Sequence, residues 1–414
     1  MPLGLYISVP FCRTKCSYCN FASDVFSKSA YENYVARVIE EIAASRATAA
    51  EVGGQFDEQV DSVYLGGGTP SILENSQLLR IFEAAREQFD VSPEAEITVE
   101  CAPGTLTDVL IETLLRAGVN RISLGVQSFV DREAQSVARL HKRATVLDEV
   151  ARLRHSGLDN INVDLIAGLP YQTTQSWSFS LDEVLALGVP HVSVYMLEID
   201  EDSRLGSELM AGGTRYHAHF VPDDAATADF YNQACETLAA GGIEQYEISN
   251  FARSRSEAAR DGSSLPGAGS WESRHNLKYW KRQPYLGFGV DAHSMLRVRA
   301  DADGARAVRI STPESLDDYM KQSPRKVVPV DKRAAMEESF FLGLRLNGGV
   351  EIEALREEFG SDLASYGPAI DDCIRDGLIV QQGGNIRLTP RGRLLSNEAF
   401  SRFLLGEIEQ NSCS

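Results

Sequence analysis

The chain has 414 residues, 43% of them hydrophobic, and 59 acidic against 40 basic residues leave a net charge of −19. So acidic a chain argues against nucleic acid, whose binding rests on phosphate neutralisation by Lys and Arg, and gives no support to binding at anionic membranes. The length suits two or three domains of about 150 residues, though an α/β barrel can use about 250 in one.

The first element is an apolar strand, Leu5–Val9, closed by Pro10. Directly after it comes Cys12-Arg13-Thr14-Lys15-Cys16-Ser17-Tyr18-Cys19, a C-x3-C-x2-C spacing. Three thiolates this close can hold three corners of an iron–sulfur cube whose fourth iron stays open. An open metal position implies chemistry or ligand binding rather than structural stapling. Zinc would want a fourth ligand, commonly from a second C-x2-C pair. Here Cys101, Cys235, Cys373 and Cys413 are single and scattered. Seven cysteines with three in one cluster are no disulfide framework and fit a reducing cytoplasm. Met1-Pro2-Leu3-Gly4 has neither the basic nor the apolar region of a signal peptide, and no stretch approaches about 18 uninterrupted apolar residues, so no transmembrane helix is expected.

Up to about residue 250 strands and helices alternate. Short β-branched runs predict strands at Leu5–Val9, Ser62–Leu65, Glu96–Val99, Arg121–Val126, Asn160–Ile166 and His191–Leu197. Helical periodicity predicts helices near 30–46, 76–89, 107–117, 145–156, 174–187 and 224–241. In the first of these, Tyr31, Tyr34, Val35, Val38, Ile39 and Ile42 share one face. Such a series predicts a parallel α/β sheet, closing as an incomplete barrel or staying open and doubly wound. Polar residues cluster past the strand ends: the cysteines, then Gly66-Gly67-Gly68-Thr69-Pro70, Glu100, Gln127-Ser128, Asp164 with Gly168-Leu169-Pro170, and Glu198. In parallel α/β folds that end is the active-site face. The glycine run is neither a P-loop nor G-x-G-x-x-G; without Cβ atoms it can expose backbone groups to a close ligand.

Beyond residue 241 come Tyr246–Ala252, Arg274–Trp280 and Leu286–Ser294, with a Ser/Ala/Gly/Arg-rich surface loop expected at 253–270 and an inter-domain linker at 322–334. Residues 335–408 read as helices around a small hairpin, Leu378-Ile379-Val380 and Asn385–Leu388 flanking Gly383-Gly384, a winged-helix-like module. Residues 331–414 carry 14 acidic and 9 basic residues, so a structural or docking module is expected rather than a DNA reader.

With these segments in view, the chain resembles the radical S-adenosylmethionine (SAM) superfamily over nearly its whole length. Within it, the chain is similar to the branch of oxygen-independent coproporphyrinogen III oxidase and the HemW-type heme chaperones. The motifs are Tyr6–Phe11, Gly66–Ser71, Gly125-Val126-Gln127-Ser128-Phe129, Arg139-Leu140-His141 and Asn162–Pro170, with the three later segments above. The resemblance implies an incomplete (β/α)6 barrel over 1–240, an extension over 241–321 and a C-terminal module over 335–408. It implies that Cys12, Cys16 and Cys19 hold a [4Fe–4S] cluster whose open iron chelates SAM, setting up one-electron cleavage of its sulfonium. It implies Tyr6 near the cluster, Gly67, Gly68 and Thr69 at the SAM amino group, and Glu100, Gln127, Arg139 and Asp164 along the rest of SAM.

The oxidase places a fourth cysteine two residues after the third, where this chain has Phe21. That matches the heme-chaperone subgroup and turns the expectation from decarboxylation of coproporphyrinogen III towards heme delivery to acceptor proteins, with whatever radical chemistry the chain performs left open. Relatives also carry His at Ser8 and Asn at Ala102, and a shorter loop before Arg274. In the subgroup a His-Asn-x-x-Tyr-Trp segment, here His275–Trp280, is implicated in heme handling, so His275 is the expected heme contact and His293 a second candidate. The electron donor is not legible in the sequence.

Overall fold

The computed structural model describes residues 1–254, 270–299 and 306–405. The surface loop expected at 253–270 falls almost wholly outside them.

The strands in chain order are β1 (Leu3–Val9), β2 (Gly54–Gln55), β3 (Gln59–Gly67), β4 (Asp90–Cys101), β5 (Arg121–Gln127), β6 (Ile161–Ala167), β7 (His191–Met196), β8 (Glu244–Gln245), β9 (Asn250–Ala252), β10 (Tyr285–Phe288), β11 (His293–Val298), β12 (Ala307–Ser311) and β13 (Lys326–Val330). Around them run α1 (Lys28–Glu51), α2 (Asn75–Gln88), α3 (Asp108–Arg116), α4 (Asp131–Ser136), α5 (Arg143–His155), α6 (Thr174–Leu187), α7 (Arg204–Ala211) and α8 (Asp224–Ala240). Local chemistry sets the helix ends. Thr107 accepts from the Leu110 amide at the start of α3, Thr173 and Ser176 form a capping box on α6, and Asp223 caps α8.

Among the described residues these strands form one sheet in the order β13-β12-β11-β10-β1-β3-β4-β5-β6-β7-β9-β8, with β2 pairing to β11. The run from β10 through β1 to β7 is parallel. From β1 to β7 the spatial order follows the chain, without the reversal that defines a doubly wound sheet. Right-handed crossovers of constant direction put every helix on the same face, so the sheet must curl to cover the other. The outcome is a barrel that stays open, with β13 and β8 as edges.

The parallel strands are apolar on both faces because helices cover the outside and the sheet's own curl the inside. In β1 and β6 every residue is buried except the central one, Tyr6 in β1 and Asp164 in β6. On the outer layer Tyr31, Tyr34, Val35, Val38 and Ile42 of α1 are buried on the sheet, and Trp177 of α6 donates its indole N–H to the Phe230 carbonyl of α8 at 2.7 Å.

The stretch 322–334 is not a linker. It contains β13, antiparallel to β12 with Pro329 opposite Val308, and the first turn of the helix Lys332–Gly343. β13 is an edge, where proline costs no ladder hydrogen bond on its solvent side. That helix and the chain after it form a smaller core, shared with Ile248, Tyr285, Met295, Ala307 and Val330, beside a three-stranded sheet of β14 (Val350–Glu351), β15 (Ile379–Gln382) and β16 (Asn385–Leu388). Gly383 and Gly384, at φ 60° and 89°, make the two-residue hairpin between β15 and β16. Glu338 ties this part to the sheet, bridging Arg309 on β12 at 2.8 Å and Arg282 at 3.3 Å. Among the described residues no helix is long and apolar enough to cross a membrane.

Candidate functional site

The carboxyl ends of β1 and β3 to β7 open onto a cavity of about 660 Å3. Cys12, Cys16 and Cys19 line it, with Gly67, Gly68 and Thr69 after β3, Glu100 on β4, Gln127 on β5, Arg139, Asp164 on β6, and Tyr195 to Glu198 at the end of β7. Phe21 and Ala102 are on the same wall, and the far side is closed by Arg345 and Leu394–Glu398 from the C-terminal part.

The cysteine loop is pinned from several sides. The Cys12 amide donates to the Asp24 carbonyl at 3.0 Å and Ser17 N to the Val137 carbonyl at 3.4 Å. Lys15 Nζ donates to the Ser23 carbonyl at 2.7 Å, and Leu205 N in α7 donates to the Ser17 carbonyl at 2.8 Å. The three thiols are free and half-buried. Burial pushes the Cys12 and Cys19 thiols up, Ser23 and Thr69 hydrogen bonds opposing this at Cys12. They are therefore protonated until a metal claims them.

Glycine is required at Gly67 and Gly68. Gly67 sits at φ 103° and donates its N–H to Glu100 Oε2 at 3.1 Å. A Cβ on Gly68 would stand 2.7 Å from the Phe11 carbonyl oxygen, 2.8 Å from that of Val9 and 3.1 Å from Cys12 Sγ. The segment thus lies flush against the end of β1, the Gly68 and Thr69 amides donating to the Val9 and Phe11 carbonyls at 2.8 Å each. Gln127 has φ 67° at the end of β5, where the register with β6 shifts. A non-glycine residue in that region is strained, and such strain collects at functional sites.

Two half-buried carboxylates line the cavity, and Asp164 acts electrostatically on Glu100. Glu100 Oε1 accepts from Tyr64 Oη at 2.8 Å. Burial, reinforced by Asp164 and opposed by the Tyr64 hydrogen bond, raises Glu100 to about 7. Asp164 accepts from Asn162 at 2.7 Å and Ser123 at 3.1 Å, and burial raises it too. Behind it, Asn162 Oδ1 meets His191 Nδ1 at 2.6 Å and accepts from Ser193 at 3.2 Å. Arg139 is half-buried, and desolvation works against its charge, but Tyr18, Cys16 and Asp164 around it raise it above its ordinary value. Its Nε has no hydrogen-bond partner. His141 of the same motif points away, with Nε2 3.1 Å from the Val126 carbonyl.

The expected residues outside the cavity wall are Tyr6, His275 and His293. Tyr6 stacks inside the barrel on Tyr64 (6.1 Å) and His275 (6.3 Å). His275 is 1% exposed; its Nδ1 is 3.1 Å from Ser62 Oγ and its Nε2 2.9 Å from Tyr279 Oη. Burial and the neighbouring Lys278 lower it to about 3, so the ring is neutral with both nitrogens engaged. The imidazole expected to meet heme has, in this arrangement, no nitrogen to offer an iron. Its neighbours Ser273 and Asn276 are the ones that reach the cavity. His293 is exposed and pairs with Asp291 at 3.6 Å. Sequence reading missed Tyr64, Asn162, His191, Ser193 and Arg345. The alternation along β6 and β7 could have pointed to Asn162 and Ser193, since polar residues in strands apolar on both faces must answer one another.

The residues fit an iron–sulfur cluster with a bound nucleoside-like ligand. Soft thiolates suit it, and the missing Cβ of Gly68 leaves Cys12 Sγ its place. Among the described residues no three His, Cys, Asp or Glu side chains are gathered as one metal ion would need. A polynuclear cluster takes one thiolate per iron, so its ligands need not converge on a point.

Comparison with known proteins agrees with this geometry. The radical SAM superfamily profile matches residues 6–184, and the HemN C-terminal domain profile matches residues 330–395. The chain is 32% identical to the heme chaperone HemW of Lactococcus lactis over 98% of either chain, and 33% identical to that of Bacillus subtilis over 97% of this chain and 99% of the relative. A bovine mitochondrial protein, radical S-adenosyl methionine domain-containing protein 1, is 30% identical over 84% of this chain and 74% of its own. In structure, coproporphyrinogen III oxidase (HemN) from Escherichia coli, a radical SAM enzyme, superposes with a TM-score of 0.77 at 24% identity over 97% of this chain and 90% of that one, which shows the shared fold. Near-complete coverage at such identity, on a barrel whose strand ends gather three cysteines, means that the chain belongs to the radical SAM superfamily, in the family of the HemW heme chaperones.

Proposed function

We propose that this chain is a heme chaperone that binds a [4Fe–4S] cluster, SAM and heme and passes heme to acceptor proteins. The observation that carries the reading is near-full-length similarity to HemW chaperones together with Phe21 in place of a fourth cysteine. In this reading Cys12, Cys16 and Cys19 hold the cluster. The cluster supplies one-electron chemistry and an open iron for an amino-carboxylate chelate. Gly67, Gly68 and Thr69 meet the amino end of SAM through backbone and hydroxyl. Glu100 and Asp164 accept from its hydroxyls, Gln127 both donates and accepts, and Arg139 faces its carboxylate. Heme occupies the remaining cavity towards the C-terminal part, and contact through His275 would require the ring to leave Ser62 and Tyr279. The protein works in the cytoplasm, in keeping with its unpaired thiols. The parts 1–240, 241–321 and 335–408 serve as barrel, extension and C-terminal module.

The test is one anaerobic preparation of cluster-reconstituted protein, titrated with heme and separately incubated with SAM, reductant and coproporphyrinogen III. A saturable Soret shift without protoporphyrinogen is expected. Protoporphyrinogen formation, or no Soret shift, overturns the chaperone reading.

A further inference from the structure

Four cationic side chains line the cavity: Lys15, Arg121, Arg139 and Arg345. Lys15 is committed to the Phe21 and Ser23 carbonyls, and Arg121 donates to Asn160 Oδ1 at 3.0 Å and to the Trp271 carbonyl at 3.2 Å. Arg139 lies among the residues assigned above to SAM. Arg345 is different. It follows the helix Lys332–Gly343 and lines the cavity beside Ile248, whose amide donates to the Arg345 carbonyl at 3.2 Å. Its guanidinium carbon lies 4.2 Å from the Trp280 ring centre, and Glu247 Oε2 is 3.6 Å from its Nη2, beyond hydrogen-bond range.

Three polar atoms here are buried without a hydrogen-bond partner: Arg345 Nε, Trp280 Nε1 and Glu247 Oε2. Orphans of this kind are uncommon in folded proteins, and several at one place ask for an explanation. The Glu247 carboxylate is 0% exposed and uses Oε1 on Ser249 N, at 2.9 Å, and on Asn250 Nδ2. It balances the guanidinium charge without occupying its donors. The indole face under Cζ attracts the cation, and a guanidinium's planar fork is suited to a carboxylate in a way a lysine is not. The Asn276 side of the helix Arg274–Trp280 borders the same end of the cavity.

We propose that Arg345, stacked on Trp280 and charge-balanced by Glu247, is a carboxylate anchor that grips a propionate side chain of heme at the C-terminal end of the cavity. This rests on the heme-binding reading and adds the part of the ligand that is recognised. The tetrapyrrole is then oriented with one carboxylate edge against the C-terminal part and the remainder towards the cysteine end. Arg345 is a specificity residue: it selects porphyrins bearing ionised carboxylates.

The test is equilibrium titration of the full-length, cluster-reconstituted protein with heme and with heme dimethyl ester, whose propionates are blocked. Wild type is compared with Arg345→Met and Arg345→Lys, folding being checked by circular dichroism. Loss of a charge-assisted pair predicts heme binding weakened about 10-fold or more in Arg345→Met, partly recovered in Arg345→Lys. The ester should bind wild type and Arg345→Met alike. Should Arg345→Met fold poorly, the wild type alone decides: heme preferred over its ester by about 10-fold supports the anchor. Equal binding of heme and ester by wild type, or an undiminished heme affinity in Arg345→Met, overturns the anchor and leaves the chaperone reading standing. Absence of any heme binding by wild type overturns both.

Discussion

Glu100 carries the most informative local chemistry. Its ordinary value of 4.5 rises to about 7 through burial, with the Tyr64 hydrogen bond opposing and Asp164 reinforcing. The folded state therefore holds a proton there that the unfolded chain has lost. Stability from this group is present below about 4.5 and falls as pH rises through about 7, by on the order of 3 kcal/mol. Cluster-free wild type should thus gain more stability than Glu100→Gln when urea midpoints are compared between pH 7.5 and 5.5, and parallel midpoints would refute the assignment. Gly68→Ala forces a methyl against two backbone carbonyls and Cys12 Sγ. Overpacking of this kind costs about 1–3 kcal/mol. It should also displace the thiol, so that iron and sulfide bound after reconstitution drop well below the wild-type content. Cys12→Ala should remove the brown cluster absorption outright, and its survival would exclude Cys12 as a ligand.

At the scale of elements, helix packing on the barrel and the joint to the C-terminal part can be tested separately. Trp177 is 0% exposed and its N–H is satisfied by the Phe230 carbonyl, so Trp177→Ala loses both its packing and its tie to α8. A loss of about 3–5 kcal/mol is expected in urea unfolding. Glu338 bridges Arg309 on β12 and Arg282, so Glu338→Ala takes the carboxylate from Arg309 and leaves Arg282 with Glu358 at 3.6 Å as its remaining one. Breaking such a joint costs about 1–3 kcal/mol. Hydrogen exchange should accelerate in the helix Lys332–Gly343 and in β12 while β3 to β6 stay protected; uniform acceleration would mean that the joint does not separate the two parts. The six strands and six main helices of the barrel were legible because short β-branched apolar runs mark strands covered on both faces and period-3.6 patterns mark helices covering one. The antiparallel additions β11 to β13 were not. They are short, and β13 carries a proline that reads as a loop until the edge position makes it harmless.

For the whole molecule, the cavity is shared property: barrel strand ends form one side and Arg345 with Leu394–Glu398 the other. Leu395 is 39% exposed on that wall. Leu395→Asp should weaken heme binding while leaving cluster content unchanged, read from Soret titration beside iron analysis. Equal losses in both would mean that the two ends of the cavity do not act separately.

The sequence by itself determined the chemistry at the cysteine end. Soft ligands at close spacing and polar residues at strand termini are local patterns, and the parallel α/β alternation turns every carboxyl end the same way. Tertiary structure alone decided the rest. Curling follows from the unbroken strand order in space, which no local periodicity records. His275 is withdrawn from the cavity because Ser62, some two hundred residues earlier in the chain, and Tyr279 take its two nitrogens. Arg345 acquires a role because Trp280 and Glu247, distant in sequence, come to lie against it. Such partners are assembled by folding, and composition or spacing cannot announce them.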